Sequence, residues 1–92
     1  MTRKPPFPQI WKLVVSLAGQ PFQTKSGLPF TYTVRGSGVI PSRTAYQITE
    51  AEFQVAYRLV PLKGPGAINQ IVRGPAYVWA VLHDRRVSRG AW

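Results

Sequence analysis

Cysteine is absent from this 92-residue chain, and acidic and imidazole side chains are nearly so. Without cysteine there is no disulfide, no thiolate metal ligand and no thiol nucleophile. With one histidine and three acids, we expect neither a metal site nor another cofactor. The lack of cysteine also suits a reducing compartment, so we expect a cytoplasmic protein.

The few titratable groups do not form a catalytic pattern. General acid–base catalysis usually needs a positioned histidine or a pair of carboxylates. Glu50 and Glu52 are two positions apart on a predicted helix, so their side chains do not face each other. His83 follows a predicted helix, where a capping or surface role is typical, and Asp84 is its neighbour. We therefore expect no catalytic residue and no enzyme activity.

Long apolar runs are lacking as well. The longest nearly apolar stretch, residues 76–82, is far short of the ~20 residues that a membrane-spanning helix needs. Prolines before the first apolar run, and Lys12 inside it, argue against a signal peptide. We expect no membrane partner.

Positive charge is what the chain has in excess. Twelve Lys and Arg residues stand against three acids, for a formal net charge of +9. Most of the basic residues are arginine, which binds phosphate in a bidentate manner and stacks on rings. Such charge is typical of nucleic-acid-binding domains. Solubility alone, or a secreted cationic peptide, would also account for it.

The clearest structural pattern is in residues 19–46. Aromatic, valine and threonine residues alternate there between two glycine-containing turns, which predicts three antiparallel strands in a meander. Pro41 cannot donate a ladder hydrogen bond, so it favours an edge for the third strand, and the register leaves open whether Val39 or Ile40 points inward. The middle strand has an apolar face formed by Leu28, Phe30, Tyr32 and Val34.

Helices are predicted on both sides of the meander. Residues 9–18 have helical apolar spacing, although alternation also fits a strand. Residues 49–52 form a capping box that predicts a helix from there to about Val60. A short helix is predicted over 67–73, and a last one over 76–83, where a strand is the alternative because strand-forming residues are frequent.

Together these elements predict one small α+β domain over residues 8–84. It has an N-terminal helix, a three-stranded antiparallel meander, and two to three C-terminal helices packed on one sheet face. Residues 1–7 are predicted to be a basic, proline-rich tail, and residues 85–92 a basic C-terminal tail. The expected core contains Phe30, Tyr32, Phe53, Tyr57, Ile71, Val78 and Leu82. The alternative for Phe30 and Tyr32 is an exposed surface that stacks on bases.

Two arrangements would gather the basic residues on one surface. The polar face of the meander would act as a β-ribbon on nucleic acid. Otherwise the helices over 67–73 and 76–83 would form a helix–turn–helix pair, with the C-terminal tail holding phosphates. The candidate nucleic-acid-binding residues are Lys25, Arg35, Arg43, Arg73, Arg85, Arg86 and Arg89.

We therefore expect a non-catalytic nucleic-acid-binding protein, with DNA as its partner and the phosphate backbone as its main contact. The alternative is a small protein–protein interaction module, such as an adaptor, a subunit of a larger complex or a homodimer. Such a module would be anchored by the edge that carries Pro41 or by Trp79 and Trp92.

Overall fold

A computed structural model describes residues 4–92 of the chain. The part of the predicted N-terminal tail that contains Arg3 therefore lies outside the described residues. The elements in chain order are α1 (Phe7–Ser16), β1 (Phe22–Gln23), β2 (Pro29–Phe30), β3 (Tyr32–Arg35), β4 (Gly38–Pro41), β5 (Ile48–Thr49), α2 (Glu50–Tyr57), a 3-10 helix (Pro65–Ile68), α3 (Pro75–Leu82) and α4 (Arg85–Ser88).

Helix α1 begins inside the segment that was expected to be a tail. Pro6 precedes it in an extended conformation, and Pro8 lies in its first turn, where no backbone N–H is needed. Phe7 is buried with Ile10 and Val14, which excludes the strand alternative for this segment. Lys4 Nζ donates to the carbonyl oxygens of α2 and the following turn. Residues 4–7 are therefore part of the domain, contrary to the predicted boundary at residue 8.

The strands form two small sheets rather than one meander. β1 pairs with β2, and β3, β4 and β5 pair antiparallel in that order. The predicted middle strand breaks at Thr31, whose N–H donates to Ser42 Oγ and whose carbonyl accepts from Ser42 N–H. Only part of the predicted apolar face is covered: Phe30 and Tyr32 are buried, while Leu28 and Val34 are exposed.

The structure shows which residue of the second hairpin points toward the core. Val39 is buried and Ile40 is only partly so. β4 is the central strand of its sheet, so the predicted edge position is wrong. Pro41 is nevertheless tolerated, because it lies at the end of β4, beyond the residues that pair with β5. The missing N–H therefore removes no bond to β5.

Helix α2 begins at the predicted capping box. Thr49 Oγ1 accepts from Glu52 N–H, and Glu52 Oε1 accepts from Thr49 N–H, both at 3.2 Å. Glu52 Oε2 also accepts from the backbone N–H of Arg73, which ties α2 to the loop before α3. The capping box is confirmed, and one of its carboxylates holds a tertiary contact as well.

The segment after α2 is less helical than predicted. Only Pro65–Ile68 forms a helical turn, of the 3-10 type, in a stretch rich in glycine and proline. Ile68 and Val72 are buried, but Ile71 is 48% exposed, so its place in the predicted core is wrong. Helix α3 is confirmed with proline in its first turn, and the strand alternative for residues 76–83 is excluded.

The C-terminal segment also differs from its prediction. Residues 85–92 were expected to be a basic tail, but Arg85–Ser88 form helix α4, which Asp84 caps by accepting from Arg86 N–H. Val87 is buried, and Trp92 Nε1 donates to the carbonyl oxygen of Leu82 at 2.8 Å. The buried Val87, the Asp84 cap and the Trp92 hydrogen bond all attach the segment to the domain, and the basic composition obscured them.

The architecture is a single α+β domain, as predicted. One core joins both sheets and the helices, and it includes six of the seven expected core residues: Phe30, Tyr32, Phe53, Tyr57, Val78 and Leu82. Within residues 4–92, no helix has the length and apolar character needed to cross a membrane.

Candidate nucleic-acid interface

Two adjoining grooves lie where β1 and β2 meet the end of α3 and the start of α4. The first, which we call the aromatic groove, has a volume of about 490 Å³ and is lined mainly by Pro21, Phe22, Pro29, Trp79, His83 and Arg85. The second, the basic groove, has about 440 Å³ and is lined by His83, Arg85, Ser88, Arg89, Gly90 and Trp92. His83 and Arg85 line both grooves, which therefore form one continuous surface.

The wall of the aromatic groove is a stacked pair of rings. Trp79 in α3 and His83, the residue that ends this helix, have ring centres 5.0 Å apart and planes inclined by 19°. Trp79 Nε1 donates to the carbonyl oxygen of Leu62, and the N–H of Leu62 donates to His83 Nε2, both at 3.1 Å. A single residue thus fixes both rings, so the wall is rigid.

The environment of His83 corrects part of its predicted role. His83 is the C-cap residue of α3, as expected, but its ring is partly buried and accepts a backbone hydrogen bond, so it is not a surface group. Burial lowers the pKa of His83, and the bond from Leu62 N–H requires Nε2 to be unprotonated. Leu62 and His83 are 21 positions apart in the chain, so no local sequence pattern predicts their hydrogen bond.

Arg86 contacts other parts of the domain, although its side chain is 39% exposed. Its Nε and Nη2 donate to the two carboxylate oxygens of Asp84 at 2.8 and 2.9 Å, and Nη2 also donates to the carbonyl oxygen of Pro21 at 2.7 Å. The guanidinium carbon lies 4.3 Å from the ring centre of Phe22. These hydrogen bonds lower the pKa of Asp84 and raise that of Arg86. Arg86 is therefore a structural residue that also neutralises the carboxylate beside the groove.

Arg85 and Arg89 are the predicted residues that face the basic groove. Both are exposed, and within residues 4–92 neither guanidinium has a hydrogen-bond or ion-pair partner. They are one helical turn apart, since the N–H of Arg89 donates to the carbonyl oxygen of Arg85 at 3.0 Å. Arg89 has a φ of 50°, in the left-handed region that glycine normally occupies at the end of a helix.

Lys25 lies next to the aromatic groove. Its Nζ is 5.9 Å from the ring centre of Trp79 and donates to the carbonyl oxygen of Lys63 at 2.8 Å. The lysine therefore places a positive charge beside the Trp79–His83 wall, at a distance typical of a cation–π contact.

The remaining predicted residues are not brought to the grooves. Arg35 ends β3 at the hairpin turn, and Arg73 lies over the ring of Tyr46, 5.5 Å from its centre. Arg43 Nε donates to the carbonyl oxygen of Pro29 at 2.7 Å, so Arg43 is attached to the backbone of a groove residue without lining either groove. The structure thus brings Lys25, Arg85 and Arg89 toward a third surface, which the sequence did not predict.

The structure excludes the predicted helix–turn–helix pair and the base-stacking alternative for Phe30 and Tyr32. Residues 67–73 are largely turn, so they cannot form the first helix of a helix–turn–helix pair. Phe30 and Tyr32 are only 4% and 1% exposed, which excludes them as a base-stacking surface. Tyr32 donates its hydroxyl to the carbonyl oxygen of Val14, and burial raises its pKa.

Composition alone did not identify the aromatic part of the site. Trp79 and His83 lie four positions apart on the predicted last helix, and this spacing is the one sequence signal that would have suggested a stacked pair. The indole N–H groups of Trp79 and Trp92, the aromatic anchors named for a protein partner, both donate to backbone carbonyls. Within residues 4–92 there is no group of three or more His, Asp or Glu side chains that could hold a metal ion.

Comparison of the chain with protein-family models, with curated proteins and with solved structures finds no match. Any function proposed for the grooves therefore rests on their geometry alone.

Proposed function

We propose that this protein is a non-catalytic nucleic-acid-binding domain that contacts mainly the phosphate backbone. The observation that carries the proposal is the pair of exposed arginines, Arg85 and Arg89, one turn apart on the basic groove and without internal partners among residues 4–92. Guanidinium groups are the preferred protein ligands of phosphate because their planar N–H donors match its oxygens.

The charge around the groove supports the same partner. Asp84 is the acid that lines the aromatic groove, and both of its oxygens accept from Arg86. Glu52 is engaged in the cap of α2 and with Arg73 N–H. A polyanion approaching this surface therefore meets little opposing charge, and a net charge of +9 favours its approach from a distance. A cytoplasmic location and the absence of enzyme activity are parts of this proposal.

The test is an anisotropy titration of labelled random-sequence duplex and single-stranded DNA at several salt concentrations. Binding weakens with salt because each neutralised phosphate releases counterions. In the double variant Arg85→Gln/Arg89→Gln, the log–log salt slope should fall by about 0.9 per lost contact on duplex and about 0.7 on single strands. The matched control, Arg35→Gln/Arg58→Gln, removes the same charge from exposed sites that do not line these grooves.

The control variant should keep the wild-type slope. If the folded wild-type protein binds neither polymer at low salt, or if both double variants lose slope equally, the proposal is wrong. Equal losses would mean that overall charge, rather than the groove, attracts the polymer.

A further inference from the structure

We infer that the two grooves together bind a single strand of nucleic acid, with a phosphate between Arg85 and Arg89 and a base against the Trp79–His83 wall. This inference rests on the proposed function and specifies which form of the polymer the surface accepts.

The shape of the surface carries the first step. An apolar, ring-lined groove joins a basic one, and His83 and Arg85 line both. A nucleotide is divided in the same way, into a flat apolar base and a charged phosphate. Each groove, at about 490 and 440 Å³, is within the size range of small-ligand sites. In a duplex the base faces are hidden in the stack, so only an unpaired base can reach the ring wall.

The charges carry the second step. Two arginines one turn apart on a helix repel each other, and a phosphate between them would relieve that repulsion. Arg85 lies at the junction of the grooves, so a phosphate bound there would be directly linked to a base in the aromatic groove. Lys25 Nζ, 5.9 Å from the Trp79 ring centre, places a further cation at the Trp79 end of the surface, where it can attract another phosphate of the strand.

The rigidity of the wall carries the third step. Both rings are held by Leu62, through Trp79 Nε1 and His83 Nε2 at 3.1 Å each. Rings that are already fixed lose little conformational freedom when a base stacks on them. The neutral imidazole also presents an uncharged ring to the base, and Arg86 neutralises the Asp84 carboxylate nearby.

The experiment compares four polymers of about ten nucleotides. They are a mixed-sequence DNA strand, the RNA strand of the same sequence, the DNA duplex, and the DNA strand with abasic positions at its centre. We expect the intact strands to bind about tenfold or more tightly than both the duplex and the abasic strand, because each stacked base contributes a factor of that order. RNA and DNA strands should compete for the same site, and a preference between them would identify contacts to the sugar.

Tryptophan fluorescence locates the base. The intact strand should quench the emission of the wild-type protein, and the Trp79→Phe variant should show much less of this quenching. Trp11→Phe is the control, because Trp11 packs against Phe53 on another part of the domain and should leave the quenching unchanged. Thermal unfolding verifies that each variant is folded, and the abasic comparison needs no variant at all.

The outcomes separate the two proposals. Duplex binding as tight as strand binding, with no loss on the abasic strand, would overturn the single-strand inference and leave backbone binding intact. Failure to bind any of the four polymers would overturn the proposed function, and this inference with it.

Discussion

The guanidinium of Arg86 joins three parts of the chain through Asp84, the Pro21 carbonyl and the Phe22 ring. In the predicted basic tail, residues 85–92, Arg86 would be equivalent to Arg85 and Arg89. In the structure it attaches α4 to β1, whereas Arg85 and Arg89 project into solvent.

Arg86→Gln should therefore lower the free energy of unfolding by about 1–2 kcal/mol, because charged hydrogen bonds are lost at a partly exposed site. Urea unfolding measures the change. Arg85→Gln is the matched control and should alter stability by less than about 0.5 kcal/mol. Equal effects of the two substitutions would show that the Arg86 contacts contribute nothing to the folded state.

His83 makes stability depend on pH. Burial lowers its pKa below the usual 6.5, so the unfolded chain binds the proton more readily than the folded one. Stability is then complete above pH 6.5 and decreases as the pH falls below that value toward the folded-state pKa. Asp84 has a pKa below its usual 3.8, so its own contribution is lost only in a separate, more acidic range.

Urea midpoints measured across this pH range should decrease on acidification in the wild-type protein and remain flatter in His83→Gln. Glutamine is a suitable replacement because its amide oxygen can still accept from Leu62 N–H. The nearby charges are those of Asp84, which Arg86 already neutralises, and of Arg85, Arg89 and Lys25, whose positive charges oppose protonation of the ring. A wild-type curve as flat as that of the variant would contradict this assignment.

Helix α4 ends in an unfavourable backbone conformation at Arg89, a residue of the proposed phosphate site. Arg89 ends the helix in the left-handed conformation, which is unfavourable for a residue with a Cβ atom. Glycine would adopt it without strain.

Arg89→Gly should therefore raise the free energy of unfolding by about 0.5–1 kcal/mol, while weakening nucleic-acid binding. Arg58→Gly is the matched control: Arg58 ends α2 with right-handed helical angles, so glycine there should destabilise the protein. Thermal unfolding and the anisotropy titration measure the two effects. No gain in stability would show that the left-handed conformation of Arg89 is not strained. Full affinity for nucleic acid would show that Arg89 does not contact it.

The elements also differ in how well the sequence predicted them. The capping box at Thr49 and Glu52 is complete within four residues, and α2 begins where it was expected. The break at Thr31 and the helix at 85–88 depend instead on partners distant in the chain, such as Ser42 and Pro21. Local pattern identifies an element when its stabilising contacts are local, and it fails when tertiary contacts decide.

For the whole molecule, composition indicated a class of partner but not the surface that would meet it. The chain folds so that Arg85 and Arg89 line the basic groove and Lys25 lies beside Trp79, while Arg35 and Arg73 lie elsewhere. The number of charges in a sequence does not tell where the fold places them. The Trp79–His83 wall is held by Leu62, which precedes Trp79 by 17 residues and His83 by 21. Rules based on residue spacing within one element cannot predict such long-range contacts.

The shortness of the strands has a consequence for how the protein behaves at high concentration. No strand among residues 4–92 is longer than four residues, and the break at Thr31 separates what would otherwise be one continuous strand. Fibril growth needs a long, flat edge on which further chains can add by backbone pairing. The outer strands of the two sheets offer two to four residues each, and the net charge of +9 makes separate chains repel each other. We therefore expect concentrated solutions to remain free of amyloid, even though nearly half of the residues are hydrophobic.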